Sequence, residues 1–500
     1  MTGIVVGLPR FEIWLYFSVW ISSTIISVFE VYRNSKVFKK SKSWLHNVDS
    51  TDQEWMNLSE FIINSLLPAC CMHFIVSQTI RRIYKGLMFE INFLLSSLFY
   101  AHILGIDALV FLYIIGFSFY LAGFFKSWFF VWVLAGAWKY FVKMEVGGPH
   151  GILWELHYVD LFRFYILFTW LLLRGIMYVM DVARGSAPGM ERDGNLIISF
   201  IQGYIRLMAY FLYIPSMLGS PLFMYKSFYN AMKKDYEPWT SFRAEKFFLS
   251  VVRYIFWWGM SEAMIRTFFN GKMGQKPEYL LKTSPWLLCG IAYMSGQFFM
   301  LKYVVFYGMT RPFGLEDGID DYPEHPKCIA RIYSYSAMWR HFDRGLYWFI
   351  RDYIYRPIIR EEYRNSLLWK FISSLISFSF VFIYHGTYKV IFIWSIMNLI
   401  AVSIESLGKW ISKSVKYRQL LDATLSPRGQ RRFYCICMTP LLLFSFLSNI
   451  YFFIGLKPGH IYISRILSMS IKHQMVLVFV LYSGIQSSVE LERKEMFKLT

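Results

Sequence analysis

The chain has 500 residues, of which 56% are hydrophobic, 20% aromatic and 17% charged. Soluble globular proteins usually contain about 25% charged residues, so this composition excludes an ordinary soluble domain and predicts a membrane protein. The net charge of +19 is spread over short runs of Lys and Arg between apolar segments. Such runs are typical of loops beside anionic lipid, so nucleic-acid binding is not predicted.

Thirteen segments are candidate membrane helices. About 20 mainly apolar residues are needed to cross the roughly 30 Å hydrocarbon core of a bilayer. Several segments are shorter, and re-entrant helices of this kind are tolerated where their backbone is buried in protein. We therefore predict an all-α, polytopic membrane protein with about ten to twelve transmembrane or re-entrant helices. In chain order, the segments are residues 11–31, 61–80, 89–104, 106–124, 129–141, 161–180, 196–218, 247–269, 286–307, 367–384, 390–404, 433–456 and 475–488.

The first segment and the loop after it bear on how the chain enters the membrane. Residues 11–31 are longer than the apolar core of a typical signal peptide, so we expect them to remain as the first membrane helix. Basic residues lie on both sides of the second segment, so charge does not decide the orientation. Asn57-Leu58-Ser59 is a glycosylation sequon, and a glycan there would place this loop in the lumen.

Neither the cysteines nor the loops indicate a second kind of domain. The six cysteines do not form two C-x2-C pairs, so neither a zinc site nor a disulfide framework is predicted. Residues 408–432 are basic and are predicted to be a solvent-exposed connector. None of the connectors is long enough for another folded domain, so we expect residues 1–500 to form a single multi-pass domain.

His385 lies in Tyr384-His385-Gly386, at the junction of two apolar segments where Lys389 is the only other clearly ionisable residue. An imidazole in apolar surroundings is costly unless it is satisfied, so such residues commonly mark functional sites. Because Gly386 allows a turn or a close approach, the ring is predicted to face a cavity inside the protein. The alternative is a histidine that joins two helices by hydrogen bonds.

Asp343 lies in the aromatic-rich stretch 338–359. If this stretch is one helix, Trp339, Asp343 and Tyr347 share a face at four-residue spacing. Asp343 is therefore a candidate catalytic carboxylate, and Trp339 is a weaker candidate for lining the reaction cavity. The alternative for Asp343 is a weak ion pair with a neighbouring arginine at the membrane interface.

Two further residues are weaker candidates when they are considered alone. Asn449 is a polar amide within the apolar run 441–456 and is predicted to line the same cavity as Trp339. Core packing or hydrogen bonding between helices explains both residues equally well. Cys328 follows Pro326-Lys327, and its position by itself indicates a structural or lipidated thiol.

Seven short motifs, spread over nearly the whole chain, resemble motifs of a single protein superfamily. They are Pro9-Arg10, Phe29-Glu30-Val31-Tyr32, Pro326-Lys327-Cys328, Met338-Trp339-Arg340-His341-Phe342-Asp343, Tyr353-Ile354-Tyr355-Arg356-Pro357, Tyr384-His385-Gly386 and Leu447-Ser448-Asn449. Together they resemble the membrane-bound O-acyltransferase superfamily, and more narrowly its Hedgehog acyltransferase branch. The most motif-rich part is 322–460.

The resemblance implies a function and a set of site residues. It implies transfer of palmitate from palmitoyl-CoA to the N-terminal cysteine amine of Hedgehog precursors or signalling peptides, and of other secreted ligands. The expected location is the membrane of the endoplasmic reticulum or Golgi, with membrane lipid as a further partner. By motif matching, His385 falls on the family histidine and Asp343 on the family aspartate. Cys328 falls on a position that ligates a haem iron, which implies haem b as a cofactor.

The residue types suit this chemistry independently of the resemblance. A free α-amino group has a pKa of about 7.7–8.0, so it needs a base before it attacks a thioester, and an imidazole can supply one. The role of Asp343 stays open between orienting a reactant and stabilising charge. The phosphates of CoA need cations, but the arginines at 340, 344, 351 and 356 are equally well explained as ordinary interfacial residues.

Three other functions remain as alternatives. In a transporter, His385 and Asp343 would form a proton relay, although the chain shows no internal repeat of the kind many transporters have. A non-catalytic scaffold of the same fold is disfavoured because His385 is present. An O-acyltransferase acting on a lipid or a serine is the third alternative.

Overall fold

The computed structural model describes residues 6–147, 158–188, 195–217, 222–359, 361–363 and 365–499. Within these ranges the chain consists of α-helices joined by loops and by short 3-10 and π-helical turns, and no β-strand occurs. The prediction of an all-α protein is therefore confirmed.

Nine α-helices form the N-terminal half of the described chain. The backbone is interrupted at Tyr84, so α3 and α4 are separate helices that pack against each other. In order, the nine are α1 (Arg10–Ser35), α2 (Gln53–Phe61), α3 (Leu67–Tyr84), α4 (Met88–Leu104), α5 (Ile106–Phe125), α6 (Trp128–Gly147), α7 (Tyr158–Ala183), α8 (Leu196–Phe211) and α9 (Tyr225–Lys233).

The C-terminal half contains the longest helices and the stretch with the predicted site residues. Several of these helices begin at a serine whose hydroxyl accepts a main-chain N–H, as Ser284, Ser366 and Ser426 do. In order, they are α10 (Ser241–Thr267), α11 (Asn270–Gly274), α12 (Pro277–Lys282), α13 (Pro285–Gly308), α14 (Arg311–Glu316), α15 (Tyr335–Phe342), α16 (Arg344–Phe349), α17 (Arg356–Ile358), α18 (Leu367–Tyr384), α19 (Lys389–Ile411), α20 (Val415–Thr424), α21 (Pro427–Ile454), α22 (Leu456–Leu467) and α23 (Ile471–Leu499).

Nine helical stretches of the described residues are long and apolar enough to cross a membrane. One of them, Gln53–Leu104, contains both α3 and α4, so counting these separately gives ten. The shorter apolar helix α8 adds an eleventh, in agreement with the predicted number. All thirteen predicted segments coincide with helices, although α8 ends at Phe211 and residue 218 lies outside the described residues.

The long helices pack closely around α13, α19 and α21. α1 lies against both α13 and α23, and α19 lies against both α18 and α21. Gly290 permits the close approach of α1 to α13, because a Cβ there would lie 2.6 Å from the carbonyl oxygen of Ser27. Small residues at such contacts are typical of membrane helices. The opposite face of α1 exposes Phe11, Trp14 and Ile25, as expected of a surface that faces lipid.

The glycosylation sequon lies within the folded part of α2. The amide nitrogen of Asn57 is buried. The hydroxyl of Ser59 donates to Glu262 (2.8 Å) and accepts from the indole N–H of Trp258 (3.0 Å). Both polar side chains of the sequon are therefore part of the helix packing, and a glycan at Asn57 does not fit this fold.

A buried ion pair joins α21 to α23. Arg431 is fully buried, and its guanidinium lies 2.8 Å from Glu490, which is also buried and pairs with Arg493 as well. Arg431 donates further to the main-chain oxygens of Val6 (2.9 Å) and Gln486 (3.2 Å). The prediction that residues 408–432 form an exposed connector is wrong at its end, because tertiary contacts bury Arg431 within α21.

We expect Glu490→Gln to destabilise the protein strongly. Removing one partner of a buried ion pair leaves the other charge uncompensated, at a cost of about 3–5 kcal/mol. Thermal unfolding of the purified protein in detergent should show a much lower midpoint. Glu30→Gln is the matched control, because Glu30 pairs with the exposed Arg33, and equal midpoints for the two variants would contradict the expectation.

Candidate active site

The helix that precedes the predicted histidine ends in a well-defined turn. The N–H groups of Gly386 and Thr387 donate to the carbonyls of Ile383 (3.4 Å) and Phe382 (3.2 Å). These two bonds form a Schellman motif at the end of α18. Gly386 has the left-handed conformation that the motif requires, with φ 110°. The turn predicted at Gly386 is therefore present.

His385 is the C-cap residue of α18, directly after Tyr384, and it is half-buried. Its ring meets those of Tyr384, Trp394 and Phe452 nearly at right angles, with centroids 5.2, 5.8 and 5.7 Å away. No hydrogen bond from a described side chain fixes either ring nitrogen. The imidazole is thus held by aromatic edges and keeps its nitrogens available.

Asp343 lies in a break between α15 and α16, with φ −123° and ψ 95°. One carboxylate oxygen accepts the N–H of Leu346 (2.9 Å), and the other accepts the hydroxyl of Tyr307 (2.9 Å). The prediction that Trp339, Asp343 and Tyr347 share one helical face is therefore wrong. Asp343 is the N-cap of α16, and a capping residue adopts extended backbone that interrupts the helical spacing.

The predicted alternative of an arginine partner for Asp343 is not seen. Arg344 pairs with Glu324 instead (2.8 Å), and no cation of the described residues forms an ion pair with Asp343. The carboxylate is held by one main-chain donor and one phenol, which fix its orientation without neutralising its charge.

Trp394 of α19 joins the weaker candidates to the histidine. Its ring lies 5.6 Å from that of Trp339 and 5.8 Å from that of His385. Its indole N–H donates to the side-chain oxygen of Asn449 (3.3 Å). Trp339 in turn donates to Asn398 (3.2 Å), whose amide is bonded to the carbonyl of Trp394 (2.8 Å). The structure therefore brings Trp339, Asn449 and His385 to one cluster.

His385 and Asp343 do not touch each other: within the described chain, no hydrogen bond or ion pair joins them. A run of aromatic rings connects them, with centroid separations of 4.9 to 5.7 Å, and Tyr307 at its end donates to Asp343. In order from the histidine, the rings are those of Phe452, Phe299, Tyr303 and Tyr307. These rings form one aromatic wall that links the two residues.

A basic cavity of about 710 Å³ lies on one side of this site. Its lining includes Trp339, Phe378 and Val381. Val381 accepts the main-chain N–H of His385 (3.0 Å), so this cavity begins one turn before the histidine. The cations on its lining are Arg351, Arg356, Lys370 and Lys413.

An acidic cavity of about 280 Å³ lies on the other side. Its apolar floor includes Phe299 and Phe452, and Phe452 packs on the His385 ring. The charged residues on its lining are Asp49, Asp52, Glu54 and Lys302. His385 thus contacts one lining residue of each cavity, Val381 of the basic one and Phe452 of the acidic one.

The surroundings of the two candidate residues shift their proton affinities. Both lie outside the helices that are long and apolar enough to cross the membrane. Burial lowers the pKa of His385, and the positive charge of Lys139 lowers it further, so the ring is neutral and accepts a proton. Burial raises the pKa of Asp343, against the hydrogen bonds from Leu346 and Tyr307, which favour the charged form.

Cys328 lies apart from the His385 cluster. Its thiol is exposed at the start of the 3-10 turn Ile329–Arg331. Ile329 and Ala330 line a third, mainly apolar cavity of about 510 Å³ between α1, α13, α21 and α23, which Asn449 also borders. In the described residues, no group of three or more His, Cys, Asp or Glu side chains is placed to hold a metal ion.

Sequence reasoning missed two residues of this site. Trp394 and Tyr307 are single aromatic residues in apolar helices, where core packing is the ordinary explanation. The partner of Tyr307 is 36 residues further along the chain, so no local pattern identifies it. Asn398 and Asn449 are polar amides in apolar helices, and their sequence likewise gives no sign that the Trp394 side chain lies between them.

The chain belongs to the membrane-bound O-acyltransferase family, whose sequence model matches residues 199–478. The matched region contains both His385 and Asp343. The protein is thus an acyltransferase of the multi-pass membrane class, as the motifs predicted.

Individual relatives give a finer comparison. Protein-cysteine N-palmitoyltransferase Rasp of Drosophila melanogaster is 26% identical over 96% of this chain and 95% of its own length. Protein-cysteine N-palmitoyltransferase HHAT of Mus musculus is 28% identical over 53% of this chain and 52% of its own. Membrane-bound O-acyltransferase GUP1 of Millerozyma farinosa is 24% identical over 43% of this chain and 41% of its own length.

We expect Trp394→Leu to lower the acyl-transfer rate by roughly 10- to 100-fold, because it removes the contacts that hold His385 in place. Trp410→Leu is the matched control, since Trp410 is an exposed tryptophan on the same helix. Rates measured with purified enzymes of equal thermal stability should separate the two variants, and equal rates would rule out a role for Trp394.

Proposed function

We propose that the chain is a palmitoyl-CoA-dependent protein-cysteine N-palmitoyltransferase of the endoplasmic reticulum or Golgi membrane. Its substrates would be Hedgehog precursors or signalling peptides, and other secreted ligands with an N-terminal cysteine. The observation that supports this most strongly is that His385 contacts a lining residue of the basic cavity, Val381, and one of the acidic cavity, Phe452. The names of the Rasp and HHAT relatives agree with the same reaction.

The basic cavity suits the CoA part of the donor. Arg351 and Arg356 both pair with Asp352, so their positive charge is partly compensated. Lys370 and Lys413 also line this cavity, and neither forms an ion pair with a described carboxylate. Two adjacent ammonium groups without a counter-charge attract phosphate groups. The thioester would then reach His385 along the wall formed by Phe378 and Val381.

The acidic cavity suits a positively charged N-terminus. Asp52 and Glu54 share the buried ammonium of Lys302, each at 2.8 Å, so the group of three carries an excess negative charge. Asp49 adds a further, buried carboxylate to the lining. An α-ammonium group is therefore drawn towards Phe299 and Phe452, next to the histidine.

The reaction itself is a transfer of an acyl group from sulfur to nitrogen. The α-ammonium first loses one proton to solvent, and the neutral amine nitrogen then attacks the thioester carbonyl, losing a second proton as it does so. The new C–N bond forms as the C–S bond breaks, and the thiolate of CoA takes up a proton. The neutral imidazole of His385 accepts the proton from the amine and returns it to the leaving thiolate.

Asp343 contributes a fixed negative charge at the far end of the aromatic wall. Because its two oxygens are held by Leu346 and Tyr307, it does not turn to meet His385. Its proposed role is to hold the substrate amine by charge while His385 removes the proton. This division of roles fits the absence of a direct contact between them in the described chain.

The decisive experiment uses labelled palmitoyl-CoA and Hedgehog N-terminal peptides. A free N-terminal cysteine should be labelled, and an N-acetylated one should not, because the product is an amide. His385→Ala and Asp343→Ala should each abolish labelling without loss of thermal stability. Labelling of the acetylated cysteine peptide would instead indicate S-acylation, and labelling of an N-terminal serine through its hydroxyl would indicate O-acylation. Full activity of both variants would refute the assignment of these residues.

We also propose that Cys328 is a haem ligand, as the family match implies. The thiol is exposed and free of disulfides, and Ile329 and Ala330 lead from it into the apolar cavity. Lys472 and His473 line the same cavity and would suit the propionate groups. These residues fit a haem with a single thiolate ligand, which would add stability between α13 and α23.

Purified protein is expected to show a Soret absorption band that Cys328→Ala removes. Cys437→Ala is the control, since Cys437 is also exposed but, unlike Cys328, is not followed directly by residues that line the apolar cavity. A wild-type protein without a Soret band after expression in haem-sufficient cells would contradict the proposal.

A further inference from the structure

Lys139 of α6 contacts the end of the helix that leads to His385. Its ammonium group donates to the main-chain oxygens of Ile383 (2.8 Å) and Tyr384 (3.2 Å). It also lies 5.6 Å from the centre of the Tyr384 ring, in a cation–π arrangement. Three contacts from one side chain therefore converge on the two residues before the histidine.

These contacts satisfy groups that the helix cannot satisfy by itself. The last carbonyls of a helix have no intrahelical donor, and a cation at this end is also favoured by the helix dipole. The carbonyl of Ile383 receives one N–H from Gly386, whereas that of Tyr384 receives no main-chain donor in the described chain. Lys139 supplies the donor that Tyr384 lacks.

An ordinary salt bridge does not explain this lysine. No carboxylate of the described residues forms an ion pair with Lys139, although it is half-buried in a mainly apolar helix. A charged group in such a place is costly unless the protein uses it. Its hydrogen-bonding partners are both carbonyls at the end of α18.

The neighbouring packing makes α6 a firm support for this contact. Trp132 lies seven residues before Lys139, on the same face of α6, and its ring packs on Phe380 (5.9 Å) and Phe349 (6.2 Å). Phe380 stacks on Tyr384 with centroids 5.7 Å apart. The helix face from Trp132 to Lys139 thus follows α18 to its end.

We propose that Lys139 is a positioning residue for His385: its ammonium group holds the last two carbonyls of α18 and thereby fixes the turn that carries the imidazole. This inference rests on the proposed function only in giving His385 the role of base. The charge of Lys139 has a second effect, since it disfavours protonation of the nearby imidazole. Lys139 itself does not touch the reacting atoms.

Three substitutions test whether the ammonium group of Lys139 is required. Lys139→Met removes both the donor and the charge, and should lower kcat by roughly 10- to 100-fold while KM for palmitoyl-CoA is unchanged. Lys139→Arg keeps both and should retain most of the activity. Lys143→Met is the matched control, because Lys143 is an exposed lysine one turn further along α6, and it should behave as wild type.

A second measurement does not depend on the substrate. Diethylpyrocarbonate modifies neutral imidazole, so the pH dependence of His385 modification, followed by mass spectrometry, reports the protonation of this residue. The midpoint should move to higher pH in Lys139→Met and stay in place in Lys139→Arg and Lys143→Met. If Lys139→Met does not fold, Lys139→Gln, which keeps a donor without the charge, provides the same comparison.

The possible results decide between the two proposals. A shifted midpoint in a protein that does not acylate cysteine peptides would overturn the proposed function and leave the role of Lys139 intact. An unchanged midpoint together with unchanged kcat in Lys139→Met would overturn the role of Lys139. Loss of activity in Lys139→Arg equal to that in Lys139→Met would also overturn it, because the arginine preserves donor and charge.

Discussion

The site depends on the way one helix ends inside the protein. The last carbonyl groups of α18 have no donor within the helix, so each needs a donor from elsewhere. Gly386 and Thr387 provide two N–H groups through a left-handed turn, and Lys139 reaches across from α6 to provide the remainder. This arrangement gives His385 a fixed position at the helix end while neither of its ring nitrogens is used for structure.

Aromatic residues fill the space between the polar groups of the site. Rings of Trp394, Phe452 and Phe299 contact one another or the histidine at centroid separations of 4.5 to 5.8 Å. Such rings are rigid and exclude water from the space between them. Because the local dielectric constant is therefore low, charges beside them interact more strongly than they would in solvent.

Local chemistry in the sequence identified the two central residues and the helical membrane character, but not how they are arranged. His385 and Asp343 stand out because each is a polar residue among apolar or aromatic neighbours. The break at Asp343 depends on a bond to Leu346, which competes with continuation of the helix, and spacing alone favoured the helix. Trp394 acts through partners on other helices, and no local pattern distinguishes it from a core residue.

The same limit applies to Arg431 and Asn57. A basic loop and a glycosylation sequon are usually exposed, and both features were interpreted in that way. Tertiary packing instead places Arg431 beside Glu490 and buries the Asn57 amide in α2. Long-range contacts therefore determine which of the polar residues become structural.

The contact of α1 with α21 has a consequence for the synthesis of the protein. Glu12 of α1 binds Arg432 through two hydrogen bonds (2.8 and 2.6 Å) across 420 residues of chain. At an elongation rate of about 5–20 residues per second, Arg432 is synthesised roughly 20–80 s after Glu12. During that interval α1 can already insert into the membrane, but Glu12 has no arginine partner. The helices α21 and α23, which complete the lining of the apolar cavity, have not yet been synthesised. Maturation of this cavity is therefore a late event of assembly, separate from the insertion of the individual helices.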